Sequence, residues 1–354
     1  MVPYIAPRVF ATSLSATGAQ LASLHARTLF FRSLHIAPST RRSYTTGVMA
    51  YTRFVVFFRP HLAAYPASDD ALSAFVTFQS QTCCYATLKN YIYALREYHL
   101  ARGFPFPPLA ERCLVLWTLR GIRRLRSDVA QPKQAMTIDI LRDIYRTLTV
   151  GGAPLRGSTH TVWTAILVGF FGMLRKDNIT HGKTNAVNPM HGLRRGDICF
   201  GRLRSGQEVA WLRVRMAKNN TFGERTHTVP LVASGGPLCP VAALRQHIRE
   251  FPAPPGSPAF VYSPAGGRRP VPLSHTAFVS RMKAMLLAAG HDPSRFAGHS
   301  LRRGGATLAF RLNCPVQFIK LQGDWLSDVV YRYHEVSSAS RLILPAAMAR
   351  AVMA

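Results

Sequence analysis

The sequence predicts a multidomain chain. An all-α N-terminal domain is expected over residues 38–126, and a mixed α+β, mainly helical domain with a small antiparallel sheet over 136–354. Three observations predict this. Between residues 39 and 126, apolar and aromatic residues recur at helical spacing between caps and breakers. Residues 127–135, Ser-Asp-Val-Ala-Gln-Pro-Lys-Gln-Ala, are polar, lack an apolar period and contain Pro132, which marks a linker. After it, short runs of strand character cluster between residues 198 and 231, flanked on both sides by helical patterns.

Taken in order, Pro38-Ser39-Thr40 is a helix start, with Ser39 or Thr40 as N-cap, and the helical period runs from Arg41 to Phe58. Arg41, Arg42 and Arg53 fall on the polar side of this first helix. Pro66-Ala67-Ser68-Asp69 caps a second helix through Phe78. Tyr85-Ala86-Thr87 opens a third, which carries Lys89, Tyr91, Tyr93 and Arg96 and stops at Gly103. Pro105, Pro107 and Pro108 then keep the chain extended. A fourth helix is expected from Leu109 and ends in Leu119-Arg120-Gly121-Ile122-Arg123-Arg124-Leu125-Arg126. Arg120, Arg123 and Arg124 stand at helical spacing as a basic ridge against an apolar face. Such a ridge is more often a solvated face than a binding surface, so its meaning depends on the rest of the chain.

In the second domain, Thr137 caps a helix to Leu148, broken by Gly151-Gly152-Ala153-Pro154. The apolar run from Val162 to Leu174 reads as a buried helix that delivers Arg175 at its C-terminal end, where an arginine often does no more than complement the helix dipole. Strands follow at 198–200, 210–216 and 226–231. The turn Lys218-Asn219-Asn220-Thr221-Phe222-Gly223 between the last two holds Lys218 at a hairpin tip. Residues 239–250 are helical, 252–272 are a Pro/Gly-rich connection, and Ser274 caps a helix closed by Gly290. A helix from Ser300 to Leu312 carries Arg302, with His299 at its start. Pro315 begins a shorter helix ended by Gly323, and Ser327 caps a last turn bearing Tyr331 and Tyr333.

Charge narrows the partners. The 354 residues include 44 Lys and Arg against 16 Asp and Glu, a net charge of +28. A folded chain this basic is built to meet a polyanion, with nucleic acid the default partner and ribosomal or membrane-surface binding the alternative. The six cysteines form no C-x-x-C pair and no finger spacing, which argues against a structural zinc, and no apolar run is long enough to span a membrane. No acid occurs before Asp69, and residues 1–34 are rich in Ser, Ala, Thr and spaced Arg. A flexible basic arm on a DNA binder and an organelle transit peptide both have this composition. The arm is preferred, because the low acid content continues into the folded domain. The expected compartment is then the nucleus if the source is eukaryotic, with an organelle left open.

The chemistry is concentrated in Gly298-His299-Ser300-Leu301-Arg302-Arg303-Gly304-Gly305, Gly323-Asp324-Trp325 and Tyr331-Arg332-Tyr333. A His and an Arg three apart share a helical face, and a tyrosine follows. Phosphodiester chemistry without a metal needs guanidinium forks on the non-bridging oxygens, an imidazole to move a proton and an oxygen nucleophile. All three residue types are present. No H-E-x-x-H, Walker loop or G-x-S-x-G elbow occurs, and so few acids give poor support to a two-metal carboxylate cluster.

These strings resemble the catalytic core of the tyrosine recombinases, the phage-integrase family, whose pattern is His-x-x-Arg, then His or Trp, then Tyr. The forms G-H-S-L-R-R-G-G-A-T, L-R-K-x-N and G-D-W…R-Y look most like recombinases of eukaryotic mobile elements, such as the DIRS and Crypton types. The resemblance covers the helical segment 38–126 as well, which is similar to the family's SAM-like core-binding domain down to its ending L-R-G-I-R-R. It implies a site-specific recombinase or integrase that breaks and rejoins DNA through a 3′-phosphotyrosyl intermediate, works as a homo-tetramer on two DNA sites and needs no cofactor, metal, ATP or small-molecule substrate. By the same resemblance the catalytic residues are Arg175, Lys218, His299, Arg302, Trp325 and Tyr333. Arg175 and Arg302 would grip the scissile phosphate, His299 would transfer a proton, Lys218 would protonate the leaving 5′-oxygen, Trp325 would donate its indole N–H, and Tyr333 would attack phosphorus. Tyr331 is the competing nucleophile; the family's Arg-Tyr ending selects Tyr333. DNA contacts are expected from Arg41, Arg42, Arg53, Lys89, Tyr91, Arg120, Arg123 and Arg124.

Two departures stand out. Asn178 occupies the place, three after Arg175, where many relatives keep a Glu. Either Asp177 takes over that role or the support of Arg175 is weaker. The Trp325-to-Tyr333 spacing is also one shorter than in many phage and bacterial members. The alternatives to a recombinase are a catalytically silent DNA-binding protein derived from such an element and a type IB topoisomerase. The apolar tail at 342–353 either docks into a neighbouring subunit or packs on its own domain.

Overall fold

The computed structural model describes residues 18–126, 133–181, 192–216, 220, 223–264, 269–333 and 338–352. The chain divides into two compact units, one up to residue 130 and one from residue 131. Among the described residues, no helix is long and apolar enough to cross a membrane.

The first unit is helical throughout, with α1 (Gly18–Leu34), α2 (Pro38–Phe58), α3 (Asp69–Gln79), α4 (Tyr85–Leu100) and α5 (Cys113–Leu125). The arm expected to be flexible over 1–37 is therefore helical from Gly18 to Leu34, while residues 1–17 lie outside the described ones. The reason is local: after Gly18 the stretch contains no Gly or Pro and is rich in Ala, Leu and Arg, the strongest helix formers. The core is aromatic. Tyr51, Phe54 and Phe75 are buried with Leu72, Leu88 and Leu119, and the Tyr51 and Phe75 rings meet edge-on at 5.3 Å. The helix expected from Leu109 starts at Cys113 instead. Its buried Arg112 is ion-paired to Asp69 at the start of α3 and stacks on Phe106 at 3.9 Å, so the chain leading into α5 is held by long-range contacts rather than by helical hydrogen bonds.

The second unit is built on α7 (Gly157–Phe171), whose side chains are buried all round from His160 to Phe170. Around it lie α6 (Ile138–Leu148), α8 (Lys176–Ile179), α9 (Pro240–Glu250), α10 (His275–Ala288) and α11 (His299–Arg311). A three-stranded antiparallel sheet of β1 (Ile198–Arg202), β2 (Glu208–Val214) and β3 (His227–Val232) runs in sequence order, with Phe200 opposite Ala210 and Leu212 opposite Val229. Ala210, Leu212, Val214, Val229 and Leu231 alternate into the core, while Trp211 faces out. A second ladder, β4 (Val261–Tyr262) with β5 (Val271–Pro272), interrupts the segment read as a plain connection. Then come α12 (Val316–Gly323), a 3-10 segment Asp328–Tyr333 and α13 (Ser338–Val352).

Two glycines set the approach of α11. A Cβ on Gly304 would lie 1.9 Å from the Met136 carbonyl oxygen, and one on Gly305 would lie 2.2 Å from that of Phe170. The Arg-Arg-Gly-Gly string thus lets the helix carrying Arg302 press directly on the end of α7. Because the obstacle is backbone, it cannot rotate away: Gly304→Ala is expected to destabilise the unit by about 1–3 kcal/mol, read as a lower urea midpoint.

A buried polar network ties α7 to α9. His247 is fully buried, with Nε2 3.2 Å from both Arg195 Nη2 and the Ala259 carbonyl oxygen. Burial, with the Arg195 charge beside it, pushes its imidazole down to about 3. The unfolded chain therefore takes up a proton near 6.5 that the folded chain refuses until about 3, so stability falls with pH across that window by about 1.4 kcal/mol per unit. His247→Gln is expected to flatten the loss of stability between pH 7 and pH 5 by about 2 kcal/mol, measured by denaturant unfolding at both values.

Candidate active site

Helix α11 begins at His299, and Arg302 lies one turn in, so both side chains share one helical face, with His299 exposed and Arg302 buried. Arg302 is buried. Its Nη1 donates to the Met173 carbonyl at 2.6 Å, its guanidinium lies 3.7 Å over the Trp325 ring, and Nη2 makes no hydrogen bond among the described residues. Burial, then the nearby Arg175 charge, brings this guanidinium down to about 9, against the opposing pull of Tyr333 and Asp324. It remains a cation at neutral pH, with the Nη2 N–H groups left for an anionic oxygen.

Arg175 arrives differently from the expectation. Helix α7 ends at Phe171, the chain reverses through Met173 in the left-handed region (φ 47°), and Arg175 is the N-cap of α8 rather than the last residue of a long helix. Met173, unusual there for a residue with a Cβ, is the same residue whose carbonyl accepts from Arg302. Asn178 Oδ1 accepts from the Arg175 backbone N–H at 3.2 Å, and its Nδ2 donates to the Met216 carbonyl at 3.2 Å. Asn178 thus holds the main chain of Arg175, not its charge. That falls to Asp324, whose carboxylate lies 3.6 Å from Arg175 Nη1. Asp177, put forward from the sequence as the substitute acid, is exposed and bears on His299 instead.

His299 is held below its ordinary value of 6.5, first by desolvation and then by Arg302, Arg175 and Lys176, with Asp177 acting in the opposite sense. Its imidazole is neutral at pH 7, the form that can accept a proton. Trp325 and Tyr333 pack with ring centroids 5.6 Å apart, and Thr307 of α11 donates to the Tyr333 carbonyl at 3.0 Å. Tyr331 points elsewhere: it is 49% exposed and its ring neighbours Phe310 at 6.2 Å.

Five of the six expected site residues, Arg175, His299, Arg302, Trp325 and Tyr333, therefore converge. Lys218 lies outside the described residues. The described ends of its loop are closed by Asn220, whose Nδ2 donates to the Arg215 carbonyl at 3.0 Å and to that of Arg225. A cleft at the site is lined by Arg175, Asn178, His227, Arg302, Gln322 and Asp324.

In the first unit, Arg41, Arg42 and Arg53 of α2 and Arg120, Arg123 and Arg124 of α5 are exposed, and Arg123 lies 5.2 Å over the Tyr85 ring. Lys89 is half-buried beside the exposed Tyr93, 5.7 Å from its ring. Tyr91 is half-buried: its ring packs against Gly47 and stacks on Phe75 at 6.1 Å, while the residue also lines an open groove with Ser43, Thr46 and Asn90. Sequence reasoning missed Asp324, Arg225 and Thr307. Asp324 was visible inside the Gly-Asp-Trp string as one of few acids in a basic chain, whereas nothing local marks Thr307.

No protein-family profile matches the chain, and no curated protein matches it in sequence. Solved structures do. A lambda integrase dimer bound to a COC′ core site is similar over 91% of this chain and 77% of its own, with a TM-score of 0.54 at 14% identity. The XerH site-specific recombinase bound to difH substrate gives a TM-score of 0.53 at 13% identity, over 86% of this chain and 78% of its own. The Tn1549 transposon integrase in complex with transposon right end DNA gives 0.55 at 11% identity, over 93% and 98%. The fold is that of the tyrosine recombinases, mainly helical with a small antiparallel sheet.

Proposed function

We propose that this chain is a site-specific DNA recombinase or integrase that breaks and rejoins strands through a 3′-phosphotyrosyl intermediate. The observation that carries the reading is the meeting of two arginines, a neutral histidine and a tyrosine at one place, with a buried guanidinium donor still unspent. In this reading the scissile phosphate of duplex DNA binds to Arg302 Nη2 and the Arg175 fork, which offset the charge that grows on the pentavalent phosphorus. Tyr333 Oη attacks phosphorus as its proton passes to a base, a role that neutral His299 would take. The bond to the 5′-oxygen breaks, and Lys218 supplies the proton to that oxygen. Attack by a 5′-hydroxyl on the phosphotyrosine reverses the step and seals the strand, so bond energy is kept.

The exposed arginines of α2 and α5 would contact phosphates, in keeping with the net charge of +28. Double-stranded DNA as partner and a homo-tetramer on two sites are supported by the similarity to DNA-bound integrases, one of them a lambda integrase tetramer bound to a Holliday junction. Origin in a eukaryotic mobile element of the DIRS or Crypton type rests on the Gly-Asp-Trp and Gly-His-Ser-Leu-Arg-Arg-Gly-Gly strings. The exposed Leu342 and Met348 of α13 fit docking in a neighbouring subunit better than packing on their own domain.

The test is a nicked suicide substrate, from which the cleaved 5′ fragment diffuses away and traps the enzyme. Covalent protein on the 3′ side of the break is expected. DNA binding with no adduct would instead identify a silent DNA-binding protein.

A further inference from the structure

We infer that Asp324 is a positioning residue that aims the Arg175 guanidinium at the reacting phosphate; the inference rests on the recombinase reading above. Asp324 follows α12 as its C-cap in the left-handed conformation (φ 57°, ψ 51°), a turn that Asn and Asp adopt more readily than other side chains. The turn carries its carboxylate into the unit, where the side chain is 6% exposed. Two guanidiniums flank it: Arg225 Nη2 at 2.5 Å and Arg175 Nη1 at 3.6 Å. The shorter contact ties the acid to the end of the β2–β3 loop, and the longer one leaves Arg175 steered rather than clamped.

The need for such an acid is electrostatic. Arg175 lies close enough to the buried Arg302 to depress the latter's affinity for its proton, and before DNA arrives this repulsion favours swinging Arg175 out to water. A single carboxylate behind the pair offsets the repulsion and holds the fork near its working place, which lowers the reorganisation left for the reaction itself. The next residue completes the arrangement. Trp325 lays its ring under Arg302, so adjacent residues hold both arginines, one by charge and one by a ring face. Gly323 makes the fold-back possible, since a Cβ there would lie 1.8 Å from the Trp325 ring.

Asp324→Asn keeps the volume and the left-handed turn and removes only the charge. Cleavage of a nicked phosphate substrate by this variant is expected to slow by about tenfold to a hundredfold, with DNA affinity within about twofold. On a substrate with a neutral methylphosphonate at the scissile position, which asks less of an arginine, the defect should shrink to within about threefold. Adding Asp324→Asn to Arg175→Ala should cost nothing further. An equal defect on both substrates, or full additivity with Arg175→Ala, would overturn the inference. A readout independent of catalysis accompanies these. In protein labelled with 15N-arginine, the Arg175 Nη–Hη signals, assigned by their loss in Arg175→Lys, should exchange with water at least about tenfold faster in Asp324→Asn. Unchanged exchange refutes positioning whatever the activity. Faster exchange in Asp324→Asn, together with a wild-type protein that yields no adduct, leaves the positioning intact and removes the recombinase reading alone.

Discussion

Tyr333→Phe is expected to abolish covalent capture of DNA, while Tyr331→Phe retains it. Both tyrosines lie in one 3-10 segment, two residues apart, and such a spacing sends their rings to different sides. Only Tyr333 turns inward. Its ring lies on Trp325, and its carbonyl is held by Thr307 from the helix that carries Arg302. Removing one oxygen from Tyr333 deletes the proposed nucleophile and leaves the packing on Trp325, so DNA affinity should change little while the adduct falls below detection. Tyr331→Phe removes an oxygen from a ring half exposed to solvent and should give adduct at close to the wild-type rate. The reverse result, adduct from Tyr333→Phe and none from Tyr331→Phe, would move the nucleophile and overturn the proposed geometry.

Arg302→Lys is expected to slow cleavage by about a hundredfold or more, and Arg302→Ala by at least as much. The lysine variant is the more informative. It preserves a positive charge but loses the planar fork, which in the wild type commits Nη1 to the Met173 carbonyl and leaves Nη2 without a partner among the described residues while its face lies on Trp325. A lysine satisfying Met173 has little reach left for phosphate. Single-turnover cleavage should fall in both variants, and equilibrium binding at fixed salt should fall far less, because most of the DNA affinity comes from other cations. A lysine variant that cleaves at the wild-type rate would mean that charge alone matters and that the unspent donor plays no part. Since Arg302 is buried, urea unfolding of both variants separates a loss of stability from a loss of rate.

Much of the fold was legible because its signals are local. Thr137, Ser68 and Ser274 read as caps in the sequence, and each accepts from a backbone N–H at the start of its helix. The two-domain division and the three strands followed from composition and alternation. Where reading failed, a distant partner had taken over. The segment leading into α5 is shaped by the Arg112–Asp69 pair, a contact between residues far apart in the chain. The helix Gly18–Leu34 is the opposite case: its propensity was readable but outweighed by the resemblance of its composition to a flexible arm.

The candidate site divides along the same line. The sequence by itself determined that His299 and Arg302 share one face of a helix, that a tryptophan and a tyrosine follow, and that the chain is basic enough to hold DNA, because each of these depends on neighbours within a few residues or on a sum over all of them. Only the tertiary structure decided which acid serves Arg175, which tyrosine faces inward and how Arg175 reaches Arg302. Those outcomes depend on two bare glycines letting α11 press on the end of α7, on the left-handed turns at Met173 and Asp324, and on a carboxylate lying 3.6 Å from an arginine far away in the chain. Such a contact is set by how helices pack, and helix packing is a property of side-chain volumes from the whole core, which no local spacing contains.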